Sequence, residues 1–294
     1  MTSTEVATTD TTTDTTGPTG PTGTAADTVA GNRPAPGAHR IGPVGGLRHA
    51  RTLFWRSMLK IRRNPEQLGE LCVQPIMFLV LFVYVFGGAV ARSTHDYLQF
   101  ALPGLMVQTA MFASMGLGLS LNTDITKGVF DRFRSLPIAR SAPLVGAVAG
   151  ELVRYVLSLL VLLGMGMVMG FRITTNPVAA LAGFGLIVVF VASVAWLSVL
   201  IGVLAKSAQS VQVWGFGLMF PLTFGSNVFV PTATMPGWLQ AWVKVNPVSH
   251  LSDAARGLMV GGPVAHSAVT SLIWAVLITA VFAPLAVRVY RRKV

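Results

Sequence analysis

The chain has 294 residues, of which 52% are hydrophobic and only 11% are charged, and its mean hydropathy is +0.63. A water-soluble domain carries about 25% charged residues, so this composition excludes an ordinary soluble globule and indicates an integral membrane protein. The formal net charge is +11, from 22 Lys and Arg against 11 Asp and Glu. Because the basic residues cluster between apolar spans, we interpret them as topology signals and expect no nucleic-acid partner.

The N-terminal part of the chain divides into two segments. Residues 1–45 are dominated by Thr, Gly, Pro, Ala and Asp, which bury too little surface to offset their ordering entropy, so we predict a disordered cytoplasmic tail without a signal peptide. Residues 46–63 place apolar side chains at three- and four-residue spacing among Arg and Lys. This pattern predicts an amphipathic helix lying on the cytoplasmic membrane surface, with an ordinary solvated helix as the alternative.

Residues 64–294 are predicted to form an all-α membrane domain with six transmembrane helices, because each apolar span approaches the roughly 20 residues that cross a bilayer. The predicted spans are 69–90, 98–121, 150–170, 177–205, 211–230 and 267–288. With the N terminus inside, the cytoplasmic segments hold 17 Lys and Arg and the outer loops hold four. This bias predicts that both termini are cytoplasmic.

Motifs for covalent chemistry do not occur in the sequence. It contains no Gly-Lys dipeptide, which a Walker A phosphate loop requires, and no HExxH or G-x-S-x-G pattern. Cys72 is the single cysteine, and the five histidines are scattered without metal-ligand spacing. We therefore expect no catalytic residue, no metal site and no cofactor bound by this chain.

The predicted cytoplasmic loop 122–141 is longer than a simple connection requires and mixes aromatic, basic and acidic residues. Such a segment is suited to docking into a groove of a partner protein, although a helix that binds only lipid headgroups is an alternative. The residues expected to make the contact are Phe130, Asp131, Arg132, Phe133, Arg134, Leu136 and Pro137.

Residues 225–262 are too apolar for a free outer loop and too often interrupted by Pro for one span. Pro236 opens a short amphipathic piece, and Asn246 caps a second helix whose Asp253 and Arg256 can pair on the face opposite its apolar stripe. We predict two short helices at or dipping into the outer leaflet.

Glu151 and Arg154 are three residues apart at the cytoplasmic end of the third span, so they can pair on one helical face. Two interpretations remain open for these cytoplasmic-end charges. They form an interfacial ion pair with a structural role, or they act on a substrate or in coupling.

Several of these segments resemble those of the ABC-2 type transporter permeases, and within them the daunorubicin/doxorubicin resistance permease group. The resemblance covers roughly residues 45–294. It is carried by the following segments: Arg62-Arg63-Asn64-Pro65-Glu66, Gln74-Pro75-Ile76-Met77-Phe78, Phe133-Arg134-Ser135-Leu136-Pro137, and Met235-Pro236 with Asn246-Pro247 and Arg256-Gly257.

The resemblance implies the architecture of an ABC-2 (type V) exporter. Two permease chains, expected to be identical, would work with two copies of a separate ATP-binding subunit that holds ATP and Mg. Residues 46–63 would be the connecting helix, loop 122–141 would carry the coupling helix, and the short extracellular helices would be re-entrant. The residues assigned to the extracellular gate are Met235, Pro236, Trp238, Asn246, Pro247, Asp253 and Arg256.

The resemblance implies that the chain is the permease subunit of an ATP-driven exporter in the bacterial plasma membrane. The exporter would move lipophilic drugs or antibiotics out of the cell, and membrane lipids would contact the permease. The residues expected along the substrate path, with core or lipid-facing packing as the alternative, are Phe112, Met115, Phe216, Phe220 and Asn227. Export of an envelope lipid or lipid-linked glycan is an alternative cargo. An ATP-independent secondary transporter or a membrane anchor is the alternative class.

Overall fold

A computed structural model describes residues 65–91, 93–127 and 142–293 of the chain, and this part contains eight α-helices and no strand. The predicted all-α fold is confirmed. The predictions for residues 1–45, 46–63 and 128–141 lie outside the described residues. The helices are α1 (Pro65–Val90), α2 (Thr94–Thr126), α3 (Ala142–Val168), α4 (Pro177–Leu204), α5 (Ala208–Phe224), α6 (Gly237–Val243), α7 (Pro247–Val260) and α8 (Ala265–Lys293), with a 3₁₀ turn at Thr232–Thr234.

Polar caps explain where four of these helices begin. Ser93 accepts a hydrogen bond from the Asp96 amide at the start of α2, and Ser207 does the same for α5. Asn176 and Asn246 cap α4 and α7, each followed by a proline at the first helical position. A side-chain oxygen before the first turn satisfies an amide that has no intrahelical partner, and proline has no such amide to satisfy.

Four helices in the described part of the chain are long and apolar enough to cross a membrane: Thr94–Thr126, Gly150–Val168, Pro177–Leu204 and Ala265–Tyr290. Helix α1 adds a shorter apolar stretch at Val73–Gly88. Six long helices, α1 to α5 and α8, lie where the six spans are predicted. The protein is a multi-pass membrane protein.

Helix α2 is the centre of the bundle and packs against α1, α3, α4, α5 and α7, while α4 packs mainly on α2 and α8. At the crossing of α2 and α4, a methyl group on Gly118 or Gly202 would overlap the backbone of the other helix. The buried Asn122 donates hydrogen bonds of 2.9 Å to the carbonyls of Gly202 and Ala205. Glycine therefore permits backbone contact here, and Asn122 completes the end of α4.

The fifth predicted span, 211–230, is corrected by the structure, because α5 ends at Phe224. The Gly225 amide still bonds to the Pro221 carbonyl, and a side chain at Gly225 would collide with that carbonyl and with Trp242. Ser226 then bonds to the Thr223 carbonyl. These local hydrogen bonds replace those that would continue the helix, so the helix ends there. The predicted loop 122–141 also begins later, because α2 continues to Thr126.

The two short helices predicted in residues 225–262 are confirmed as α6 and α7. Helix α7 packs against α2, α4 and α8. Its last turn is held by the loop before α4, where Thr174 bonds to the Val260 carbonyl and Thr175 lies 2.6 Å from the Leu258 carbonyl. Gly261 and Gly262 follow with positive φ, which ends the helix.

Candidate functional site

A cavity of about 420 Å³ lies among α1, α2, α3 and α5. It is partly open and has the size of a small-molecule site. Its lining residues are Gln74, Pro75, Phe78, Gln108, Thr109, Phe112, Ala113, Met115, Gly116, Leu119, Glu151, Arg154, Tyr155, Ser158, Val211, Gln212, Phe216, Phe220 and Phe224.

The packing of α2 gives the cavity two distinct ends. Helix α5 runs antiparallel to α2, since Gly118 faces Val211 while Gly104, farther toward the start of α2, lies against Val228 beyond the end of α5. On α3, Gly166 packs on Leu102, and Glu151 lies fifteen residues earlier, about 22 Å along the helix. Glu151 therefore marks one end of the cavity, near the α4–α5 connection, and Phe224 marks the other.

Aromatic and thioether side chains form one wall. The rings of Phe112 and Phe216 are 5.7 Å apart, and those of Phe220 and Phe224 stack at 4.3 Å. Met115 packs over Gly215, where a methyl group would collide with it. Aromatic faces and a flexible methionine suit planar or irregular apolar molecules.

A row of stacked phenylalanines joins α1 to α5 at the Phe224 end of the cavity and extends this aromatic wall. It runs from Phe78 to Phe82 at 5.9 Å, to Phe229 at 4.4 Å, to Phe224 at 5.1 Å and to Phe220 at 4.3 Å. Phe229 belongs to the segment after α5 and is buried. The aromatic wall therefore continues into residues 225–262.

The opposite end of the cavity is polar. Arg154 Nη1 lies 3.2 Å from Glu151 Oε1, and the Glu151 side chain is 15% exposed against 42% for Arg154. The pairing of these residues is confirmed, and both line the cavity. Tyr155 and Ser158 follow on the same helix. The structure thus places the pair beside a space that an amphipathic molecule can enter.

Arg256 is the centre of a second cluster, in the 225–262 segment. Its Nη1 donates to Asp253 Oδ1 at 2.8 Å, its Nε to the Phe100 carbonyl at 3.0 Å, and its Nη2 to the Asn227 carbonyl at 3.2 Å. The guanidinium also lies 3.9 Å from the centre of the Phe100 ring. The predicted pair with Asp253 is confirmed, but Arg256 is only 16% exposed, so it faces α2 rather than an open surface.

The environment of Arg256 has a clear electrostatic consequence. Burial lowers its pKa to about 10, although Asp253 opposes this change. That pKa still lies well above neutral, so the guanidinium carries its charge and bonds α7 to α2 and to the segment after α5.

Two other contacts attach the 225–262 segment to the bundle. Asn246 accepts from the Val248 amide at 2.9 Å and donates to the Leu222 carbonyl at 2.8 Å, so one side chain caps α7 and completes the end of α5. The Tyr97 hydroxyl donates to the Phe229 carbonyl at 3.0 Å. The start of α2 is thereby held to the segment that follows α5.

The structure separates the remaining predicted residues by position. Four of the five substrate-path residues line the cavity, whereas Asn227 donates to Asp253 Oδ1 at 2.7 Å in the Arg256 cluster. Of the other residues predicted for the gate, Met235 accepts a hydrogen bond from Gln240 at its main-chain carbonyl, and Pro236 precedes α6. Trp238 is exposed and Pro247 opens α7. The predicted coupling residues between 130 and 137 lie outside the described residues.

Several lining residues were not singled out in the sequence. Gln108, Gln212, Tyr155 and Ser158 are polar side chains within apolar spans, and that signal is visible without a structure. Which of them share one cavity depends on helix packing. Across the described residues, no group of three or more His, Cys, Asp and Glu is arranged to hold a metal ion.

A helical bundle with several helices long and apolar enough to cross a membrane, and with a cavity that has an aromatic wall and a polar end, is typical of multi-pass membrane transporters. Comparison with known proteins identifies the family. The ABC-2 type transporter family model matches residues 48–260, and the chain belongs to that family.

Three relatives show how far the similarity extends. The chain is 40% identical over 278 residues to the daunorubicin resistance ABC transporter permease protein DrrB1 of Streptomyces coeruleorubidus, covering 92% of this chain and 98% of that protein. It is 32% identical to the probable doxorubicin resistance ABC transporter permease protein DrrC of Mycobacterium tuberculosis, covering 75% and 80%. A putative transport permease, ycf38 of Cyanophora paradoxa, is 26% identical, covering 70% and 72%.

Proposed function

We propose that this chain is the membrane-spanning subunit of an ATP-driven exporter that moves lipophilic drugs or antibiotics out of the cell. The observation that carries the proposal is the cavity, whose aromatic wall and polar end suit an amphipathic organic molecule. Family membership and the 40% identity to a daunorubicin resistance permease support the cargo class.

The proposed complex contains two copies of this chain and two copies of an ATP-binding subunit, in the bacterial plasma membrane with both permease termini cytoplasmic. In this arrangement the permease is a non-catalytic subunit, and ATP and Mg are held by the partner. Residues 130–137 make the contact with that partner. Closure of the ATP-bound pair moves the permease between a state that holds cargo and one that releases it.

The 225–262 segment is the proposed exit gate. Asn246 bonds this segment to the end of α5, and Arg256 bonds it to the start of α2. In the proposed mechanism these two helix ends separate when cargo is released. A gate of this kind requires two arrangements of comparable free energy, and ATP binding must favour one of them.

The test is ATP hydrolysis by the purified chain with its ATP-binding subunit in liposomes, with and without doxorubicin. Drug-stimulated turnover that requires both chains supports drug export. Turnover that requires both chains but ignores drugs favours an envelope lipid as cargo. If no ATP-binding subunit forms a stable complex with the chain, the exporter proposal is refuted.

Replacing Phe133 and Arg134 by Ala tests the docking assignment. We expect membrane insertion to persist while drug-stimulated hydrolysis and export are lost, because an aromatic and a basic anchor are removed from the contact. Arg140→Ala, in the same loop but outside the proposed contact, is the matched control. Normal capture of the ATP-binding subunit and normal export by the double variant contradict the assignment.

A further inference from the structure

The carboxylate of Glu151 has one oxygen that can accept a further hydrogen bond. Its side chain is mostly buried and lines the cavity, and it accepts one hydrogen bond, to Oε1 from Arg154. Among the described residues, no donor reaches Oε2. Oε2 keeps some solvent access, so water or a molecule in the cavity can donate to it, and a mostly buried carboxylate is stabilised by each added donor. An additional donor from a cavity occupant would complete this site.

Arg154 is a replaceable partner for that carboxylate. It is the more exposed member of the pair, it donates through one nitrogen at 3.2 Å, and it lies only three residues away on the same helix. Pairs of this kind are weak, because water competes for the exposed charge. The long arginine side chain can also turn its charge toward the membrane surface.

The surroundings of Glu151 favour a positively charged group. The Tyr155 hydroxyl is buried without a hydrogen-bond partner among the described residues, and Tyr155 lines the cavity with a side chain that is 2% exposed. The amide of Gln212 and the ring of Phe112 lie in the same cavity. Hydroxyl and amide oxygens accept hydrogen bonds from an ammonium group, and aromatic faces attract cations. Arg154 is the one cationic side chain among the described lining residues.

We propose that Glu151 is the counter-ion for a protonated amine on the molecule that occupies the cavity. The amine displaces Arg154 and donates to the Glu151 carboxylate, while the apolar body of the molecule lies against Phe112, Phe216 and Phe220. Glu151 is then the residue that selects amphipathic cations over neutral molecules of the same shape. This inference rests on the proposed function, in that the cavity must hold cargo.

Two sources supply this chemistry: an aromatic drug with an amine, and a membrane lipid with an amine headgroup. The test uses the complex with its ATP-binding subunit in phosphatidylcholine–phosphatidylglycerol vesicles, which contain no primary amine. Doxorubicin, whose sugar carries an amine, is compared with its N-acetyl derivative by quenching of their fluorescence on binding. We expect the wild-type complex to bind the amine about tenfold more tightly, as a charge-assisted hydrogen bond implies.

Glu151→Gln should abolish this preference by weakening only the amine about tenfold, since it keeps the side-chain shape and removes the charge. The matched control, Asp96→Asn, changes an exposed carboxylate at the start of α2, away from the cavity, and should keep the preference. Arg154→Gln should strengthen amine binding about threefold, because it removes the competitor for Glu151. A purely structural pair would instead make both variants lose both ligands.

The outcomes separate this inference from the proposed function. Equal wild-type affinity for the two drugs, or an equal loss of both in Glu151→Gln, overturns the amine site while leaving drug export intact. If the Glu151→Gln chain does not assemble with the ATP-binding subunit, the Arg154→Gln complex provides the test. Doxorubicin binding to Arg154→Gln that is unchanged or weaker than in the wild type overturns the amine site. If neither drug binds, the proposal of drug cargo is refuted. The amine site is then tested by comparing ATP-dependent transport of fluorescent phosphatidylethanolamine with that of fluorescent phosphatidylcholine. A preference for the amine lipid supports the site, and equal transport overturns it.

Discussion

Replacing Arg256 by Gln removes the guanidinium that joins α7 to α2 and to the segment after α5. Arg256 makes hydrogen bonds to Asp253, Ser252, Phe100 and Asn227. Removing one member of a fully buried ion pair costs about 3–5 kcal/mol. Asp253 is 42% exposed and can be solvated once it is alone, so we expect the lower end of that range, about 3 kcal/mol. Arg256→Lys keeps the charge but cannot reach the same acceptors, and should lose about half as much.

The measurement is the unfolding temperature of the purified complex, followed by tryptophan fluorescence. A loss of about 3 kcal/mol corresponds to a decrease of roughly 6–12 °C for a chain of this size. Arg288→Gln, at an exposed position of α8, is the control and should change the unfolding temperature by less than about 2 °C. An Arg256→Gln protein that melts with the wild type, or an Arg256→Lys protein that is as unstable as Arg256→Gln, would refute the reasoning.

The lowered pKa of Arg256 determines how its contribution to the stability of the folded protein depends on pH. With a pKa of about 10, the group is charged in both the folded and the unfolded chain near neutral pH, so its contribution should be constant from about pH 7 to about pH 8.5. Above about pH 10 the folded chain releases the proton before the unfolded chain does. The unfolded chain then binds more protons, so the contribution of this group to stability rises with pH.

Two further substitutions test the packing and capping described above. Gly202→Ala places a methyl group against the backbone of Gly118, and should cost at least about 2 kcal/mol, whereas Gly185→Ala in the same helix meets nothing within 4 Å and should be neutral or slightly stabilising. An equal response of the two variants in thermal unfolding would contradict the close crossing of α2 and α4. Asn246→Ala removes bonds to two helices and should cost about 2 kcal/mol, about twice the cost of Asn176→Ala, which removes the cap of α4. Equal unfolding temperatures for the two Asn variants would show that the bond to α5 contributes little.

Much of α7 could be predicted because its boundaries depend on local chemistry. Asn246 and Pro247 define its start, two glycines define its end, and the spacing of Asp253 and Arg256 allows them to pair. The direction in which Arg256 faces could not be predicted. Its main-chain partner, Phe100, lies 156 residues earlier in the chain, and local spacing contains no information about such a contact.

The cavity shows the same division between local and long-range information. Three aromatic residues and a methionine on α2 and α5 could be chosen as path candidates, and all four line one space. However, α2 is apolar around almost its whole circumference and is buried on most sides. Without an amphipathic period, the sequence does not indicate which face borders the cavity. That Tyr155 and Gln108 line the cavity therefore became visible only once the packing of α3 against α2 was known.

Helix α2 has a mechanical consequence that follows from its length and its attachments. Its 33 residues form one α-helix about 50 Å long, with Pro103 inside it. Near its first turns it is fastened to the 225–262 segment through Tyr97 and Phe100. It ends at Thr126, immediately before the residues proposed to contact the ATP-binding subunit. From Pro103 to Thr126 the helix contains no further proline, so a displacement applied at Lys127 is transmitted along this stretch. Pro103, close to the attachments at Tyr97 and Phe100, is the position at which the helix can bend.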